Sequence, residues 1–175
     1  IIIGALSSNS YSDVGNSQAS AFENNYAKIC LKNLSNLDSL RNKLKAIQKL
    51  PKESSALFLG GNEGDAWPIP DKNATVVISI PRGKNLCAIH VRKANTEKAK
   101  ELFLNLVESA PSPLISNKVR SNDLHETRKD NIQTVAYEWS VPGAARKMLF
   151  TLTTNNDVNA EIQVLGSAAI ISNEI

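Results

Sequence analysis

The sequence predicts an α+β domain: a mainly antiparallel β-sheet with helices packed on one face, two of them N-terminal and one central. Three observations carry that prediction. The β-branched run "ATVVISIP" is followed by a turn tetrapeptide and a second apolar run, "NLCAIHVRKA", a pattern that makes a hairpin. Directly after it, Ala99, Leu102, Phe103, Leu106 and Val107 fall on one helix face at i, i+3, i+4, i+7 and i+8. The rest of the chain alternates apolar and polar residues between turn-forming clusters. Strands gathered around one helix and joined by tight turns pack as an antiparallel sheet with helices on one side. Profilin-like and PAS-like sheets offer an analogy of fold alone.

Each element has a local reason. Residues 13–20 are polar and read as a loose lead-in. Phe22, Tyr26, Ile29 and Cys30 then share one face of a helix. Ser35 and Asp38 fit a capping box for a second helix. Leu37, Leu40, Leu44 and Ile47 form its apolar stripe, and Pro51 ends it. "SALFLGGNEGDAWPIP" reads as a short apolar turn, a Gly-rich loop and a short strand around Trp67. The hairpin follows, with Pro81-Arg82-Gly83-Lys84 as its turn. Asn95 or Thr96 caps the central helix, and the Ala-Pro-Ser-Pro run at 110–113 ends it. Strands are expected at 115–124, 132–140, 147–154 and 161–171. In the hairpin "YEWSVPGAARKMLFTLTT", Tyr137, Trp139 and Val141 share a face, and Met148, Phe150 and Leu152 line one face of the return strand. Large residues are expected on both faces there, so this hairpin is expected to be covered on both sides.

The 175 residues suit one domain with a hydrophobic core, assigned to 21–175, with 1–20 as a residual signal and lead-in segment. The opening "IIIGALSSNS" resembles the end of a signal-peptide apolar region followed by a small-residue cleavage region. That points to export, to the periplasm or beyond, and no segment reads as a membrane span. The net charge of +3 comes from scattered Lys and Arg, so a nucleic-acid partner is not expected.

Cys87 and His90 lie close in sequence and suggest a thiol with its base. Strand alternation opposes that, because Cys87, Ile89 and Val91 share one face and His90 lies on the other. The same parity, with only two Cys and two His, excludes a zinc site from the expectation. Two buried thiols or a disulfide remain. Cys30 and Cys87 both point into the helix–sheet interface, and an oxidising compartment would favour bonding them. "GGNEGDAW" lacks the Lys-Ser/Thr of a phosphate loop; it reads as a winding turn that can rim a ligand cleft with Glu63, Asp65 and Trp67 exposed. Neither His neighbours an activatable Ser. Tyr137 and Trp139 read as core, with an exposed aromatic platform as the alternative.

"ICLKNL", "GDAWPIP", "LCAIHVRKAN" and "YEWSVPGAARKMLFTLTT" together resemble a pattern in a small family of exported proteins of Gram-negative bacteria to which no activity is attached. The likeness spans about residues 26–172 and implies export and paired cysteines. The expectation is therefore an exported binding or accessory protein, with no cofactor, whose partner is an envelope protein or a small ligand. The alternative is a hydrolase-like enzyme whose acid and base come from Asp65, Glu138, His90 or His125. A nucleic-acid binder ranks last.

Overall fold

The computed structural model describes residues 9–119 and 131–172. Helix α1 (Asn9–Asn25) runs into a π-helical turn (Tyr26–Leu31), then come α2 (Leu37–Leu44) and α3 (Lys52–Leu59). Strands β1 (Gly64–Ile69), β2 (Val76–Pro81) and β3 (Leu86–Val91) precede α4 (Thr96–Val107). Strands β4 (Ile115–Lys118), β5 (Ile132–Ser140), β6 (Arg146–Asn155) and β7 (Val164–Ser172) follow. The seven strands form one sheet in the order β1-β2-β3-β7-β6-β5-β4, antiparallel at every pairing. Two meanders are thus joined along β3 and β7, and α4 makes the connection between them. The predicted α+β class holds. No helix among the described residues is long and apolar enough to cross a membrane.

The main core lies between the sheet and α1, the π-helical turn, α2 and α4. Phe22, Tyr26, Cys30 and Phe103 meet Ile78, Cys87, Ile89, Phe150 and Leu152 there. Cys30 and Cys87 are bonded across this interface, with Cα atoms 5.4 Å apart. The π-helical turn explains the alignment. A straight α-helix drifts as it steps in fours, whereas the wider i→i+5 turn keeps Tyr26 and Cys30 facing the sheet. Gly166 is required at the closest approach of helix and sheet. A Cβ there would lie 2.5 Å from the Phe22 ring.

Several expectations are corrected. Residues 13–20 are helical, not a loose lead-in. Their Ser and Asn content gives weak helix propensity, but tertiary contacts override it: Ala19 is fully buried, and the Asn95 backbone N–H donates to the Gly15 carbonyl at 2.9 Å. Helix α2 is capped one residue later than expected, by Asn36, whose side chain accepts from the Ser39 N–H. Asp38 instead pairs with Arg41 at 2.7 Å. The "SALFL" stretch is helix α3, not a turn. The β5–β6 hairpin concentrates its largest residues on the helical face, where Tyr137 opposes Phe150, Val135 opposes Leu152 and Trp139 opposes Met148. Its other face carries the half-buried Ile132 and Leu149 among Thr134, Ala136, Glu138, Thr151 and Thr153. The predicted strand residues 120–124 and the turn residues 128–130 lie outside the described residues.

Candidate functional site

The second face of the sheet, the one that carries His90, is built from smaller residues. Strand register aligns Ala66, Ser79, Ala88, Ser167, Thr151 and Ala136 in one row across six strands. Period-two alternation puts them all on the face opposite Cys87. Helix α3 is the exception to the single helical layer, because it packs on this second face against β1 and β2. Gly60, in the left-handed conformation (φ 55°), ends α3 and turns the chain into the following loop.

Between α3 and the row of small residues lies a groove of about 400 Å³. Leu57, Phe58 and Leu59 of α3 form one wall. Leu86, Ala88, Leu165 and Ser167 lie along the floor, with Ile132, Ile162 and Gln163 towards one end and Asn62 and Lys84 at the other. Leu57 is 51 % exposed at the rim, an apolar side chain left in solvent beside an apolar trough.

Ser79 and His90 sit at the base. Ser79 Oγ lies 2.9 Å from His90 Nε2, and the Phe58 ring meets the imidazole edge-on with centroids 5.1 Å apart. His90 is 5 % exposed, and its Nδ1 makes no hydrogen bond of normal geometry. Burial pushes its pKa down to about 4, against a smaller opposing effect of the Phe58 backbone. The imidazole is therefore neutral at pH 7. The expectation that no Ser neighbours a His is corrected here. Ser79 is 11 residues away in sequence but diagonal to His90 across the hairpin.

A hydroxyl on an imidazole suggests a nucleophile and its base. Three features oppose that chemistry. Ser79 is 1 % exposed. Among the described residues no carboxylate orients the ring, since Nδ1 has no such partner. A base held near pKa 4 takes a proton poorly at neutral pH.

The other singled-out residues are scattered. Trp67 is 5 % exposed in the main core and does not rim a cleft, because it opposes Ile78 on the helical face. Asp65 pairs with Lys49 at 2.7 Å, and Glu63 lies 3.5 Å from Arg82, both at the surface beside β1. Tyr137 and Trp139 form no exposed platform. Trp139 Nε1 donates to the Val107 carbonyl at 2.7 Å, and Tyr137 donates to Glu108 at 3.0 Å. Trp139 thus satisfies a carbonyl in the last turn of α4, where carbonyls lack helical partners, and Tyr137 holds the side chain of Glu108 just after it. Burial raises the Tyr137 pKa, and the Glu108 carboxylate adds to the shift. Glu138 pairs with Lys147 at 2.7 Å. His125 lies outside the described residues. Asp65, Glu138 and His90 stand on different parts of the molecule, so they do not assemble an acid–base centre. Among the described residues, no cluster of three His, Cys, Asp or Glu side chains has the arrangement to hold a metal.

The chain matches no family model, no curated protein and no solved structure.

Proposed function

We propose that this is a binding domain of an oxidising, exported compartment, and that a small, mainly apolar ligand occupies the groove between α3 and the second sheet face. The groove itself carries the reading. Its volume falls in the range of small-molecule sites, and its lining joins apolar side chains to neutral polar ones and to one lysine, Lys84. The Cys30–Cys87 bond supports the compartment, since such bonds persist where thiols are not kept reduced. The resemblance to exported Gram-negative proteins points the same way, towards the periplasm or beyond. A protein partner has less support: among the described residues the exposed apolar side chains fall into small separate groups, Val14 with Val158 at one cleft, Ile115 near Val141 at the β4–β5 end, and Leu57 on α3.

Titration with a neutral naphthylamine dye, whose emission rises in apolar surroundings, tests the groove. The wild-type protein should bind it saturably at one site. Ala88→Trp fills the floor and Leu57→Glu charges the rim, and each should weaken binding by about tenfold, the loss of roughly 1.4 kcal/mol. Leu57 is exposed enough that its substitution leaves the fold intact. Dye binding unchanged in both variants would refute the groove as the site.

The Ser79–His90 contact gives the enzyme reading its one specific observation. A fluorophosphonate reagent should leave Ser79 unmodified. Stoichiometric labelling of Ser79, found by mass spectrometry, would replace the binding reading with a hydrolase.

A further inference from the structure

We infer that the ligand is a straight-chain carboxylate of the fatty-acid class, its alkyl chain along the small-residue floor and its head at Lys84. This rests on the groove being the binding site and adds the ligand's shape and charge.

The shape comes from the floor. Leu86, Ala88 and His90 follow one another on the same face of β3, with Leu165 and Ser167 beside them on β7. A strand rises about 3.3 Å per residue, so Leu86 to His90 spans about 13 Å, close to the length of about ten extended carbons. Ala88 and Ser167 are directly paired and small, which leaves a trough where larger side chains would make a flat surface. His90 closes the deep part of the trough as a neutral imidazole, so an alkyl chain there meets no charge.

The charge comes from the lining. Among the described residues that line the groove, Lys84 is the only ionised group and none is Asp or Glu. Lys84 stands at the end formed by the β2–β3 turn. Its hydrogen-bond partner is neutral: Nζ donates to Asn62 Oδ1 at 2.6 Å. An ammonium has three donors, so two are left for the oxygens of a head group. Glu63 and Asp65 are the nearest acids in this stretch of chain. They line a separate cleft with Lys49 and Arg82, where each has a cation of its own. An apolar trough with one unneutralised cation at its mouth is complementary to an amphiphile with one negative charge.

Displacement of the dye by hexanoate, octanoate, decanoate and decanol at pH 8, below micelle formation, tests the inference on the wild-type protein and on Lys84→Gln. Each added methylene should tighten carboxylate binding by about fourfold until the trough is full, after which the gain should stop. Decanol should bind about fivefold more weakly than decanoate to the wild type, and Lys84→Gln should erase that difference. Decanol binding as tightly as decanoate would overturn the role of Lys84. Dye binding that no chain displaces would overturn the ligand class and leave the groove standing. Absence of dye binding altogether would remove the groove reading itself.

Discussion

His90 shows how one residue on a strand answers to two sets of neighbours. Its backbone belongs to the central hairpin, while its ring lies under α3 beside Ser79 and Phe58. Because burial holds its folded pKa at about 4, below the ordinary 6.5, the unfolded chain binds a proton that the folded chain refuses between those values. Stability from this residue is fully present above pH 6.5 and is lost as the pH falls towards 4. The loss amounts to about 3 kcal/mol at most, because each pH unit between the two values is worth about 1.4 kcal/mol. Urea unfolding at pH 7 and pH 4.5 should show a larger drop for the wild type than for His90→Gln. Equal drops would mean that His90 is not buried neutral. Gly166 makes a second prediction at this scale. Gly166→Ala pushes a methyl group into the Phe22 ring and should cost about 1–3 kcal/mol in the same assay, and Phe22→Leu should recover part of it. The face of His90 is legible from strand parity alone, but its Ser79 partner is not. The sequence suggests a turn over residues 81–84, whereas β2 ends at Pro81 and β3 begins at Leu86. The longer turn shifts the register so that Val77 opposes His90 and brings Ser79 to the diagonal position.

Legibility at the scale of elements follows periodicity. Strands β2, β3, β5 and β6 and helix α4 stand where alternation or a 3.6-residue stripe puts them. Helix α3 escapes such a reading because its apolar residues are contiguous and half of them serve a groove instead of a core: Leu59 is buried while Leu57 faces solvent. The groove escapes with it, since it exists only where α3 crosses the second face. The start of α1 is hidden because its support comes from the cap of α4, far away in sequence. Tyr137 and Trp139 read as core from the sequence, but their polar roles at the end of α4, Trp139 on the Val107 carbonyl and Tyr137 on the Glu108 carboxylate, show only in the fold. Helix α3 has few anchors besides Leu59, Ser55 and the Phe58–His90 contact. Phe58→Ala should therefore loosen this helix without unfolding the sheet. Amide exchange across Lys52–Leu59 should quicken by about tenfold or more, as expected for a local opening, while β3 and β7 keep their protection. Uniform acceleration throughout the protein would show that α3 is part of the global unfolding unit instead.

At the scale of the whole molecule, the two faces of the sheet divide the work. The helical face carries the large core residues and the disulfide, while the second face keeps small residues and stays partly open. That division lets stability and binding be altered separately. The disulfide joins positions 57 residues apart, tying the N-terminal helical layer to β3, which lies beside the central strand β7 of the sheet. In a chain-entropy account, closing a loop of that size constrains the unfolded chain and is worth about 4 kcal/mol. The double substitution Cys30→Ala with Cys87→Ala should lower the unfolding free energy by about that amount and Tm by about 10 °C. Dye affinity in the groove should change less than about twofold at a temperature where both proteins are folded, because neither cysteine faces the groove. Neutral loss of the bond, with stability unchanged, would mean that the helical layer docks as firmly without it. Loss of dye binding in the folded variant would mean that the groove's geometry depends on strain or alignment transmitted through β3, and that the two faces are not independent.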